Sequence, residues 1–220
     1  MFDPVTLALA LGALTLVGTA AKFRTSGPLP NTLPRTPEYD TLKNEVLSRV
    51  QDASKITIPS IDRFVEVKLG DQTYLVAPHY IAPVGIGEGE QIAKANGFEL
   101  PTPELVDAIW QAADLKLEPL PRGPSDKPPS DYTARTMNSP ETNVAQLARI
   151  SRQVEETNPD YHLLAGTHKD IVLGKTPTGE TKLGIYGWHR PNGSKIQGFM
   201  WGHAPEWKDY SQGLRLVRKV

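Results

Sequence analysis

The chain reads as an α+β protein: an apolar N-terminal helix and proline-rich stalk, a helical and hairpin region, then a small C-terminal antiparallel sheet. Three observations predict this. Val5–Ala21 carries no charge. Helix-start signatures and one hairpin signature follow between proline-rich stretches. From Tyr161 onward, glycines punctuate short β-like runs. With 39% apolar and 22% charged residues in 220, the composition is globular.

The first element is Val5–Ala21, VTLALALGALTLVGTAA. As a helix it would be about 25 Å long, the lower limit for crossing a bilayer. Three roles fit it: a retained membrane anchor, a signal peptide, or a segment buried in an assembly such as a virion or an oligomer. Gly18, Ala20 and Ala21 suit a cleavage site, but Asp3 stands where a signal peptide has its basic region. Lys22 and Arg24 lie on the C-terminal side, and for an anchor that charge bias would leave the body cytoplasmic. Ala8 and Gly12 offer a small-residue pair for helix association. The expected organisation is therefore an anchor or signal at 1–24, a linker at 25–37 and one α+β domain at 38–220, with the site region at 161–220.

Phe23–Pro37 has four prolines and a glycine and reads as the stalk. Tyr39, Leu42, Val46 and Val50 then recur at helical spacing. Val65, Val67 and Leu69 alternate, Gly70-Asp71 turns, and Tyr74 and Val76 return as a core hairpin. Gly85-Ile86-Gly87-Glu88-Gly89 could suggest a phosphate loop. Glu88 and Glu90 would repel the anion and the Walker lysine is missing, so the expectation is a flexible entry into a helix ending at Asn96-Gly97. Thr102-Pro103-Glu104 starts the next helix, with Leu105, Ile109, Trp110 and Ala113 as its buried stripe. Pro119–Pro129 is a second linker or strap. Ser139-Pro140-Glu141 opens a helix carrying Val144, Leu147 and Ile150, which Asn158-Pro159 closes.

The last sixty residues hold four of the five histidines and three of the four tryptophans. Strands are expected at Asp170–Leu173, Thr181–Trp188, Lys195–Met200 and Leu214–Val217, with turns at Pro177-Thr178-Gly179 and Pro191-Asn192-Gly193. Three constellations there could carry chemistry. His168, Asp170, His189 and His203 have the side chains of a zinc site, with the histidines as ligands. Ser211, His189 and Asp170 could serve as nucleophile, base and orienting acid. Trp188, Trp201, Trp207 and Tyr210 could present flat faces to a sugar or base, with Arg190 and Arg215 holding acidic groups. The run His168-Lys169-Asp170 spells HKD but lacks the spacing that phospholipase D chemistry needs.

The absence of cysteine excludes disulfides, thiolate metal sites and a cysteine nucleophile. A net charge of -1 argues against nucleic acid as the partner.

Four stretches together resemble a family of uncharacterised bacterial proteins, many of them exported: LPTPELVDAIWQAADLKLEP from Leu100, HKDIVLG from His168, IYGWHRPNGSKIQ from Ile185 and DYSQGLRLV from Asp209. The likeness covers about two-thirds of the chain and implies an exported location. Members often carry histidine where Gln212 stands here. A looser similarity is to L,D-transpeptidases of the YkuD type. Tyr186-Gly187-Trp188-His189 and Ser211-Gln212-Gly213-Leu214-Arg215 match their histidine element and SHGCxR element in order. Without the thiolate, that family's acyl transfer cannot run. These readings converge on an envelope-facing hydrolase or remodelling protein acting on peptidoglycan or a related polymer. His189 would be base or metal ligand, helped by His168, Asp170 and His203, with Ser211 or water as attacker. The alternative is a non-enzymatic virion or cell-envelope protein that binds or assembles.

Overall fold

The computed structural model of the chain describes residues 58–82, 84–121, 140–158 and 160–220. The apolar segment at 5–21, the stalk, the helix expected from Tyr39 to Val50 and most of the second linker lie outside the described residues. Among the described residues, no helix is long and apolar enough to cross a membrane. The class is α+β.

Strands β1 (Val65–Leu69) and β2 (Gln72–Val76) form the expected hairpin around Gly70, whose φ of 60° is the left-handed backbone such a turn requires. Helix α1 spans Ile86–Ala95 and α2 spans Pro103–Ala112. Strand β3 (Leu115–Lys116) precedes α3 (Pro140–Thr157), and β4 (Leu164–Ala165) follows it. The C-terminal part supplies β5 (Lys169–Lys175), β6 (Thr181–His189), β7 (Lys195–Met200), β8 (Gln212–Gly213) and β9 (Val217–Lys219).

The main sheet has the order β7-β6-β5-β8. Its first three strands are antiparallel as expected, but β8 pairs with β5 in parallel, so the sheet is mixed. The strand expected at Leu214–Val217 divides instead. Leu214 bridges Ile81 and Glu99 bridges Val217, while β9 leaves to join β1-β2-β9. At the split sits Arg215, between β8 and β9, with no exposed surface and its guanidinium donating to carbonyls of two other segments. A third, two-stranded sheet pairs β3 with β4 in parallel.

Helix α1 covers one face of the main sheet. Ile171, Ile185, Leu214 and Leu216 pack there with Ile86, Ala93, Phe98 and Val84. The glycine stretch is not a flexible entry: the helix begins at Ile86, with Gly87 and Gly89 inside it. Glycine usually weakens a helix by about 1 kcal/mol, and close packing explains its use. A Cβ at Gly87 would stand 3.0 Å from Pro205, and one at Gly89 2.9 Å from Ile171. Glu88 closes the first turn by accepting from the Gly85 N–H at 2.9 Å, and it pairs with Lys208 at 2.6 Å.

Helix α2 covers the opposite face. The Thr102 hydroxyl accepts from the Leu105 N–H and Pro103 occupies the first helical position, as the sequence predicts. Leu105 and Ile109 pack with Val67, Val76, Leu163 and Val217, while Val106 meets Val172 and Tyr186 on β5 and β6. Ile150 and Val154 of α3 close a third cluster with Leu115, Leu117 and Leu164.

A candidate acid–base site at the end of β6

Strand β6 is regular until Ile185, where a bulge shifts its pairing with β7. Gly187 has φ 95°, and Trp188 follows with φ 54°, a left-handed conformation that costs a bulky residue roughly 1–2 kcal/mol. The bulge turns the Trp188 indole into the interior. It is 4% exposed, donates to the Thr167 carbonyl at 3.1 Å and meets the Tyr210 ring edge-on. The next residue, His189, is thereby delivered to helix α2.

There, His189 Nε2 stands 2.8 Å from Asp107 Oδ1. The same carboxylate accepts from the Tyr186 hydroxyl at 3.0 Å and from Lys195 Nζ at 3.0 Å. Lys195 reaches it because β6 and β7 place Lys195 opposite His189. Trp110, one turn beyond Asp107 on α2, stacks on the imidazole with centroids 5.6 Å apart. Lys116 lies over the indole, 5.2 Å from its centroid. The His189 side chain is 5% exposed, whereas that of Asp107 is 41% exposed, so the pair lies at a boundary between interior and solvent.

Burial holds the His189 imidazole below its ordinary range, with Asp107 pulling in the opposite direction. Burial also works against ionising Asp107, but hydrogen bonds from Lys195, His189 and Tyr186 outweigh it and hold the carboxyl below the usual range. At neutral pH the pair is therefore a neutral imidazole beside a carboxylate. The carboxylate fixes the proton on Nε2, leaving the Nδ1 lone pair able to take a proton.

The other residues that the sequence singles out fall in different places. Ser211 is 1% exposed and its hydroxyl donates to Asp209 at 2.6 Å, not to His189. Asp170, 2% exposed, accepts from the Tyr80 hydroxyl at 2.9 Å and faces Arg215. Ser211, His189 and Asp170 thus each hold a different partner. His168 is 1% exposed with Nδ1 at 3.0 Å from the Thr167 hydroxyl, and His203 stacks on Trp207 with centroids 4.8 Å apart. Among the described residues no three His, Cys, Asp or Glu side chains are grouped to hold a metal ion. As arranged, His168, His189 and His203 do not converge on a zinc.

The aromatic platform divides in the same way. Trp188 and Tyr210 are sealed in the interior, while Trp201 is 40% exposed and tilts against Phe199. Met200 pairs with Ile185 and Lys195 with His189, so Trp201 lies at the far end of β7 from the acid–base pair. Arg190 follows His189 in the chain, and its guanidinium donates to the Ser194 hydroxyl at 3.3 Å.

The run DYSQGLRLV proves to be a clasp. Asp209 binds the Ser211 amide and hydroxyl and pairs with Lys169 at 2.8 Å. Gln212 Nε2 donates to the Val84 and Trp207 carbonyls. Arg215 donates to the Ala77 and Leu164 carbonyls. A neutral histidine at 212 has a single N–H and could bind just one of the two carbonyls that Gln212 holds.

Sequence reading finds His189 but misses Asp107 and Lys195, and it assigns Trp110 to the core. The available signal is the i, i+3 spacing of Asp107 and Trp110, which puts an acid beside a bulky aromatic on one helix face. Compared with protein-family models, curated proteins and solved structures, the chain has no match.

Proposed function

We propose that the protein is an envelope-facing hydrolase in which His189, oriented by Asp107, is the general base. The observation that carries this reading is the 2.8 Å His189–Asp107 contact, with a neutral ring and an ionised carboxylate. In the proposed step, His189 Nδ1 takes a proton from water as its oxygen bonds to the scissile carbonyl carbon. The imidazolium then returns that proton to the departing amine, so one water is consumed for each bond broken. Lys195, opposite His189 on β7, supplies positive charge for the developing oxyanion. Asp107 stabilises the imidazolium. The substrate proposed is peptidoglycan or a related cell-wall polymer, with residues 5–21 as the membrane anchor or export signal.

A second reading, a binding or structural component of an envelope or virion, draws support from the exposed apolar side chains of Met200 and Trp201. One experiment separates the two. The full chain is incubated with purified peptidoglycan, with and without chelator, beside His189→Ala and Asp107→Asn, and released fragments are weighed by mass spectrometry. Release abolished in both variants and indifferent to chelator supports the general-base mechanism. Release that survives His189→Ala refutes it, and no release by folded protein favours the binding reading.

A further inference from the structure

Away from His189, the interior holds a carboxylate and a guanidinium that face each other without touching. Asp170 on β5 uses Oδ2 to accept from the Tyr80 hydroxyl at 2.9 Å. Its Oδ1 is sealed from solvent, makes no hydrogen bond, and lies 3.9 Å from Arg215 Nε, which also has none. Arg215 is held from other directions. Nη1 and Nη2 donate to Ala77 and Leu164, and the Tyr80 ring lies 3.8 Å beneath the guanidinium carbon. The cluster joins five segments: the end of β2, the loop carrying Tyr80, strand β4, strand β5, and the stretch between β8 and β9.

We propose that Asp170, Tyr80 and Arg215 form a buried proton-binding joint in the C-terminal clasp. With Asp170 ionised, Oδ1 closes on the Arg215 Nε–H. With a proton bound at Asp170, the guanidinium rests on the Ala77 and Leu164 carbonyls alone. The proton is exchanged with solvent, and no other bond changes.

The surroundings isolate this pair electrostatically. On β5 itself, Lys169 is balanced by Asp209, and just before the strand burial holds His168 down at about 3, so it is neutral. The loop before α1 adds His79, also held down to about 3 by burial and by Arg215. Opposite Asp170, β6 presents Tyr186, whose hydroxyl is bound to Asp107 on α2, and β8 presents Gly213. Burial pushes the Asp170 carboxyl up to about 7, against the pull of Arg215 and the Tyr80 hydroxyl. Because that value is raised above the ordinary 3.8, Asp170's contribution to stability is fully present below pH 3.8 and is lost as pH rises through 7.

The test is an NMR titration of the full chain from pH 5 to 9, following Asp170 13Cγ and the Arg215 Nε–H. Both resonances should follow one single-proton curve with its midpoint near 7. In Asp170→Asn the Arg215 resonance should stay flat. In Tyr80→Phe the midpoint should rise, because a donor to the ionised carboxylate is gone. A flat Asp170 signal across the range overturns the proposal, as does an Arg215 shift that persists in Asp170→Asn. Should that variant fail to fold, an unmoved midpoint in Tyr80→Phe is equally decisive.

Discussion

Acidification should unfold this protein partly through His168, and the size of the effect can be worked out. The ring is 1% exposed, packs against Tyr80 with centroids 5.2 Å apart, and burial holds its pKa down to about 3 from 6.5. Arg215 and Lys169 act in the same direction and Asp209 against them. A group whose folded value is depressed contributes stability that is complete above its unfolded value and is lost as pH falls towards the folded one. Between pH 7.5 and 5.0 the unfolded histidine becomes protonated while the folded one does not, which withdraws ~2 kcal/mol. His79 should withdraw a similar amount and Asp170 should return part of it, since its value is raised. Those two contributions cancel when the wild type is compared with His168→Phe, which keeps a ring of similar size. Urea unfolding of both proteins at the two pH values should show the variant losing about 2 kcal/mol less than the wild type. Equal losses in the two proteins would refute the claim that His168 is buried and neutral.

Other perturbations test the remaining structure. On the proposed general-base mechanism, Asp107→Asn should lower release of peptidoglycan fragments by roughly 10²-fold or more. It should also depress the His189 pKa further, which NMR can read directly, because Asp107 is what pulls that value upward. Arg215→Met removes a fully buried cation and strands Asp170 and two carbonyls, so thermal or urea unfolding should report a loss of about 3–5 kcal/mol. Gly166→Ala should cost at least ~2 kcal/mol by the same measurement, since a Cβ there would stand 2.2 Å from the Leu117 carbonyl oxygen on a backbone with φ 94°.

What the sequence determined by itself is what neighbouring residues determine. Alternation around Gly70-Asp71 specifies β1 and β2, because register in a tight hairpin follows from the turn. Thr102-Pro103 specifies the start of α2 through one hydroxyl and one fixed φ. The strands near Asp170, Thr181 and Lys195 were legible from runs bounded by turn residues. His189 was legible as a chemical group, but its partner was not. Asp107 is 82 positions away, and a carboxylate on an amphipathic helix carries no mark of what it will face. Trp110 reads as core by spacing and becomes half core, half cover for the imidazole. Tertiary structure alone decided that Arg215 is interior and that the last strand splits around it. It likewise decided that β8 runs parallel and that two glycines lie inside α1. Each of these depends on how closely separate segments approach one another, a quantity set by packing of the whole core and absent from any local pattern.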